Sequence, residues 1–160
     1  MATFTYNKLI EANSVAKTFF LRNTKETPFS KTLERFFELA RPFIENKGGY
    51  NERANKINRE TAAKDPKRHG TIALDANGVY LYTAAGLQRR DDLMNELGEE
   101  TIEFEPEFCA DKDVPVLSLS DQLILKGIVI HPDYSSAEKP QQKESNYSLA
   151  ENHIPMTVIE

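Results

Sequence analysis

The chain reads as an α+β protein: a helical N-terminal half packed on a small, mostly antiparallel sheet, followed by an extended C-terminal arm. Three observations predict this. Apolar residues recur at helical spacing through the first sixty positions. Asn77-Gly78 sits between two β-rich runs, and Thr101-Ile102-Glu103-Phe104-Glu105 alternates strictly between polar and apolar. At 160 residues the chain suits one domain, expected over residues 1–130, with residues 131–160 as a flexible or partner-docked arm.

The first helix is expected over Tyr6 to Leu21, where Leu9, Ala12, Ala16 and Phe19 fall on one stripe. Thr27 then offers a cap for a second helix, and Pro28 suits its first position, where a missing N–H costs nothing. Phe29, Leu33, Phe36, Phe37, Ala40, Phe43 and Ile44 give that helix a broad apolar face, which Pro42 is expected to kink or to end just before. Gly48-Gly49 breaks the period. A more polar helix is expected from Tyr50 to Ala63, and a loop from Asp65 to Gly70.

The period then changes. Thr71 to Leu74 and Val79 to Thr83 flank Asp75-Ala76-Asn77-Gly78, a hairpin signal because Asn and Gly both tolerate positive φ. Ala84 to Leu97 returns to helical spacing, with Gly98 read as its stop. Thr101 to Glu105 reads as a half-buried strand and Val114 to Leu117 as a short edge strand. Ser118 or Ser120 caps a short helix, Leu119 to Lys126, closed by Gly127, and Ile128-Val129-Ile130 reads as a last strand.

From His131 the composition shifts, and Ser, Glu, Lys, Pro and Gln dominate as far as Ser145. Such a stretch buries too little apolar surface to offset its own ordering, which costs ~1–2 kcal/mol per residue. Apolar side chains return at Tyr147 and Leu149, then at Ile154, Met156, Val158 and Ile159. A polar tether with an apolar tip suits a docking peptide, so Tyr147, Ile154, Met156, Val158 and Ile159 are the expected partner-binding residues. Ile154, Met156 and Val158 alternate, as an added strand would require, while Pro155 lacks an N–H and restricts pairing to one edge. The same tip suits a last strand folded back onto its own domain.

Net charge is −5, unevenly placed. Residues 17–70 hold 13 Lys and Arg against 7 Asp and Glu; residues 71–138 hold 4 against 14. Opposed halves of this kind complement one another between copies, or are simply two solvated faces. Arg53, Lys56, Arg59, Lys67 and Arg68, with Lys64, are the candidate contacts for nucleic acid. The interleaved Glu52, Glu60 and Asp65 and the lack of an aromatic row speak against that role.

Signatures of chemistry are scarce. His69, His131 and His153 have no partner at a metal-ligand spacing, and no glycine-rich phosphate loop or nucleophile elbow is present. Cys109, near Glu105, Glu107 and Asp111, suits a buried structural thiol, because neighbouring carboxylates raise a thiol pKa. Glu103, Glu105 and Glu107 alternate as the wet side of a sheet does. His131-Pro132-Asp133 matches the cochaperone tripeptide without its helical context. Catalytic, metal and cofactor sites are therefore expected to be absent. The apolar run ending at Ile130 is far short of the ~20 residues that span a bilayer. MATFTYNKLIEAN has no basic stretch leading into an apolar core, so no secretory signal is expected and a cytoplasmic setting is.

The order of elements, from Pro28–Glu45 through Tyr50–Lys64, D-x-N-G-x-Y at Asp75 to Tyr80, N-E-L-G-E-E at Asn95 to Glu100 and I-E-F-E-P at Ile102 to Pro106, to L-S-x-x-Q-L at Leu119 to Leu123, resembles small uncharacterised proteins of tailed bacteriophages. The resemblance implies a structural or assembly component of the particle, binding other protein subunits, in the host cytoplasm or the virion. The alternatives are an inhibitor that binds a host protein through its acidic half, and a nucleic-acid-binding protein acting through residues 53–68.

Overall fold

The computed structural model describes residues 1–68, 70–135 and 157–159. Strand β1 (Ala2–Thr5) leads into helix α1 (Tyr6–Arg22), followed by α2 (Pro28–Ile44) and α3 (Tyr50–Thr61). Then come β2 (Leu81–Thr83), α4 (Ala84–Glu99), β3 (Thr101–Phe104), a 3-10 turn at Asp111–Asp113, α5 (Leu119–Leu125) and β4 (Thr157–Ile159). The fold is α+β, with the helices packed on a small antiparallel sheet.

The caps follow the sequence signals. Thr5, Thr27, Thr83 and Ser118 each accept a backbone N–H of the first turn they precede, and Thr27 and Ser30 form a reciprocal box. The core joins Leu9, Ala12 and Ala16 of α1 to Phe29, Leu33, Phe36 and Ala40 of α2, and to Val114, Leu117, Leu125 and Ile128 to Ile130 from the second half. Aromatic rings tie the layers: Phe19 meets Phe29 edge-on at 5.3 Å, and Phe4 stacks on Phe104 at 4.8 Å. Lys8 donates to the carbonyls of Leu123 (3.3 Å) and Ile124 (2.7 Å), which fixes the end of α5 against α1.

Helix α2 runs through Pro42 to Ile44, so of the two outcomes expected of Pro42 the early stop does not occur. Pro42 lies in the last turn, so it forfeits one hydrogen bond while Ile44 stays buried. Gly98 does not stop α4. It lies buried inside it, and a Cβ there would come 2.2 Å from Oδ1 of Asn7. Ile128 to Ile130 is a tight buried turn and not a strand: the Leu125 carbonyl accepts from the N–H groups of Ile128, Val129 and Ile130, with Gly127 at φ 84°. Val114 to Leu117 forms no strand, although Val114 and Leu117 are core residues. The N-terminal strand was not foreseen; it pairs antiparallel with β3, Ala2 opposite Phe104 and Thr5 opposite Thr101.

The hairpin forms at the expected place by a different turn. Leu74 pairs with Tyr80, Gly78 N–H donates to the Asp75 carbonyl, and Gly78 alone takes positive φ (79°). Asp75 Oδ1 accepts from the N–H groups of Asn77 (2.7 Å) and Val79 (3.0 Å), so the Asp side chain builds the loop as much as the Asn-Gly pair does.

Candidate functional site: a strand-docking edge beside a basic surface

Three short segments meet between α3 and α4. Ala63 N–H donates to the Leu81 carbonyl (2.8 Å), Ala73 N–H to the Ala63 carbonyl (2.8 Å) and Leu81 N–H to the Ala73 carbonyl (3.0 Å). This closed set uses both peptide groups of Leu81 and fixes β2. Consecutive residues of a strand turn their peptide groups to opposite edges, so Tyr82 faces the other way. On that edge lies β4, parallel, with Leu81 opposite Thr157, Tyr82 opposite Val158 and Thr83 opposite Ile159.

Tyr82 anchors the edge. It is 3% exposed. Its hydroxyl reaches the Asn58 carbonyl at 3.5 Å, and the Arg90 guanidinium lies 5.9 Å from its ring centre. Burial pushes the phenol pKa up, against the pull of Arg90. Arg90 is itself held, with Nε donating to Asn58 Oδ1 at 2.7 Å and Nη1 to Asp91 at 3.2 Å. Helix α4 contacts both β2 and β4, so the edge has a floor as well as a ladder.

Of the expected partner-binding residues, Val158 and Ile159 lie in β4, while Tyr147, Ile154 and Met156 lie outside the described residues. The remaining tail residues 136–156 and two of the three histidines, His69 and His153, lie outside them as well. The receiving edge at Tyr82 was missed. Its only sequence signal is an aromatic two residues from the hairpin, because the edge is created by the long-range meeting of residues 63, 73 and 81.

The basic residues do not act as one stripe. Arg53 is committed to Glu100 by a forked pair, with Nη2 to Oε1 at 2.8 Å, and Lys56 pairs with Glu60 at 3.8 Å. Arg59, Lys67 and Arg68, like Lys64, are exposed and make no ion pair with another described residue. The acidic row is divided too: Glu103 accepts from Thr3 Oγ1 (3.4 Å), Glu105 pairs with the N-terminal ammonium (3.2 Å) and Glu107 with Arg35 (2.7 Å). Among the described residues no group of three or more His, Cys, Asp or Glu is placed to hold a metal ion. None of the helices there is long and apolar enough to cross a membrane. Cys109 is buried, its N–H donating to Val129.

A cavity of about 410 Å³ lies between the C-terminal turns of α1 and residues 115–121. Asp121 lines it with Thr18, Arg22 and Ser118. Asp121 is 7% exposed, and burial raises its pKa against the Ser118 hydroxyl that bonds its charged form. The S-x-x-D spacing of a helix cap was the visible signal for this pair. No protein-family model, curated protein or solved structure matches this chain.

Proposed function

We propose that the chain is a non-catalytic, protein-binding component of an assembly, with a bacteriophage particle as its setting and other protein subunits, its own copies or different ones, as partners. The observation that carries this reading is the edge of β2 with a chain-terminal strand laid on it. Backbone edges bind through main-chain hydrogen bonds that any extended segment can satisfy, which is chemistry for joining subunits and not for turnover. The side chains around the edge, Tyr82, Asn58 and Arg90, are bonded to one another, with none poised as a nucleophile and base.

The two alternatives have less support. An inhibitor acting through the acidic half would use carboxylates of which Glu100, Glu105 and Glu107 already serve cations of this chain. Nucleic-acid binding through residues 53–68 would have to break the Arg53–Glu100 pair or rely on Arg59, Lys67 and Arg68. Deletion of residues 146–160 tests the leading reading by sedimentation. The truncated chain is expected to fold, to melt a few degrees lower and to lose association with its partner subunits. A truncated chain that associates as the full chain does sinks the reading.

A further inference from the structure

We propose that β2 receives the C-terminal strand of a second copy of this chain, so that neighbouring copies are joined by exchange of residues 157–159. This rests on the protein-binding reading and names its partner. The bonds that hold the acceptor do not involve the strand. The Ala63, Ala73 and Leu81 hydrogen bonds hold β2, Thr83 caps α4, and Tyr82 is left facing the edge with its ring buried against Asn58 and Arg90. What the acceptor lacks is a partner for the peptide groups of Tyr82, and a buried peptide group left unpaired is costly. Val158 of any copy meets that need equally well, because the register and the chemistry are identical within a chain and between chains.

Reach allows it. Residues 136–156 connect the described body to β4. Roughly twenty residues can span up to about 70 Å when extended, against a diameter of about 35–40 Å for a compact chain of this length. The hold is also modest. Three residues of parallel ladder have no stability of their own, and beyond the buried Tyr134 the sequence from Ser135 to Ser145 offers almost no apolar side chains to fasten the connection. With equal contacts on either side, concentration decides between the two arrangements. A connector of this length gives the chain's own strand an effective concentration in the millimolar range, so exchange takes over where copies are held at comparable local concentration, as in a packed particle.

The test uses two full-length chains of different mass, one carrying only Leu81→Cys and the other only Thr157→Cys. Neither can form the bond within itself. Adjacent strands lie about 4.7–4.9 Å apart, inside the Cα range of about 4.4–6.8 Å that a disulfide spans. Cys109, 5% exposed, is shielded, and free thiols are alkylated before denaturation. The mixed species is expected to exceed either homodimer at least tenfold at millimolar protein and to fall on dilution. Thr83→Cys, at an exposed position, with Ile159→Cys, its partner in the same register, is the second pair should the first chain fail to fold. Association of the wild-type chain without the mixed disulfide in either pair overturns the exchange and leaves the protein-binding reading standing. A chain that neither cross-links nor associates with itself also overturns the exchange, and the protein-binding reading then stands or falls with the truncation test above.

Discussion

Two carboxylates of this chain respond to acid with opposite signs. The forked hydrogen bonds from Arg53 hold the Glu100 carboxyl below its ordinary value. That stability is fully present above the unfolded pKa and is lost as pH falls through the lower folded one. Both side chains are nearly half exposed, so solvent screens the pair, and Glu100→Gln is expected to cost only about 0.5–1 kcal/mol at pH 7. The gap to wild type should narrow as pH falls below the ordinary carboxylate range and through the lowered folded pKa, as chemical denaturation across that range will read; a gap unchanged by acid contradicts the pairing. Asp121 behaves in reverse. Burial raises its folded pKa, so its charge is a cost at neutral pH that is relieved as pH falls through that raised value. Asp121→Asn is therefore expected to match or exceed wild-type stability at pH 7, with wild type catching up as pH falls toward the carboxylate range. A variant clearly less stable at pH 7 would mean that the negative charge itself is needed in the cavity.

At the scale of elements, what the sequence made legible is what local physics decides. The helices over Tyr6–Arg22, Pro28–Ile44 and Tyr50–Thr61, the Thr27 and Ser118 caps and the alternation at Thr101–Phe104 all follow from periodicity and side-chain chemistry. What it concealed is set by contact between distant segments. Gly98 looks like a helix stop by position, but it lies buried inside α4 with the Asn7 side chain against it. Ile128 to Ile130 has strand composition, but it folds around one carbonyl as part of the core. The strand at Thr157–Ile159 was legible in the apolar residues there, whereas the edge that Val158 pairs with was not. Gly86 shows the same logic and can be tested. Its missing Cβ would sit 2.6 Å from the Thr61 carbonyl oxygen, a backbone atom, so α3 and α4 approach only because this position is bare. Gly86→Ala is expected to lower stability by about 1–3 kcal/mol despite the better helix propensity of Ala. Gly98→Ala meets only the end of the exposed Asn7 side chain, which can rotate away, so it should cost far less. Thermal melts of the two variants side by side decide it, and equal losses would show that backbone approach between α3 and α4 is not the constraint.

For the whole molecule the question is where the opposed charges of the two halves are spent. Part is spent internally: Arg35 with Glu107 and Arg53 with Glu100 join the basic half to the acidic half within one fold. The remainder faces outward. Lys64, Lys67 and Arg68 lie on the turn between α3 and the hairpin that carries β2, while Asp92, Glu96 and Glu99 lie exposed on α4. A second copy arriving at β2 therefore meets both sets of charges and carries both itself, so that opposite charges can be matched between copies, an attraction weakened by salt. The screening length falls from about 10 Å at 0.1 M to about 3 Å at 1 M, so charge attraction between copies is mostly lost over that range, whereas strand pairing persists. Self-association is expected to weaken about tenfold across it in sedimentation experiments. The combined variant Lys64→Glu, Lys67→Glu, Arg68→Glu should associate at low salt as poorly as wild type does at high salt, and should lose the salt dependence. Its fold should survive, because exposed substitutions of this kind usually stay within about 0.5 kcal/mol each. Association that ignores both salt and charge reversal would leave the strand edge as the sole contact between copies and remove any role for the charge asymmetry in bringing them together.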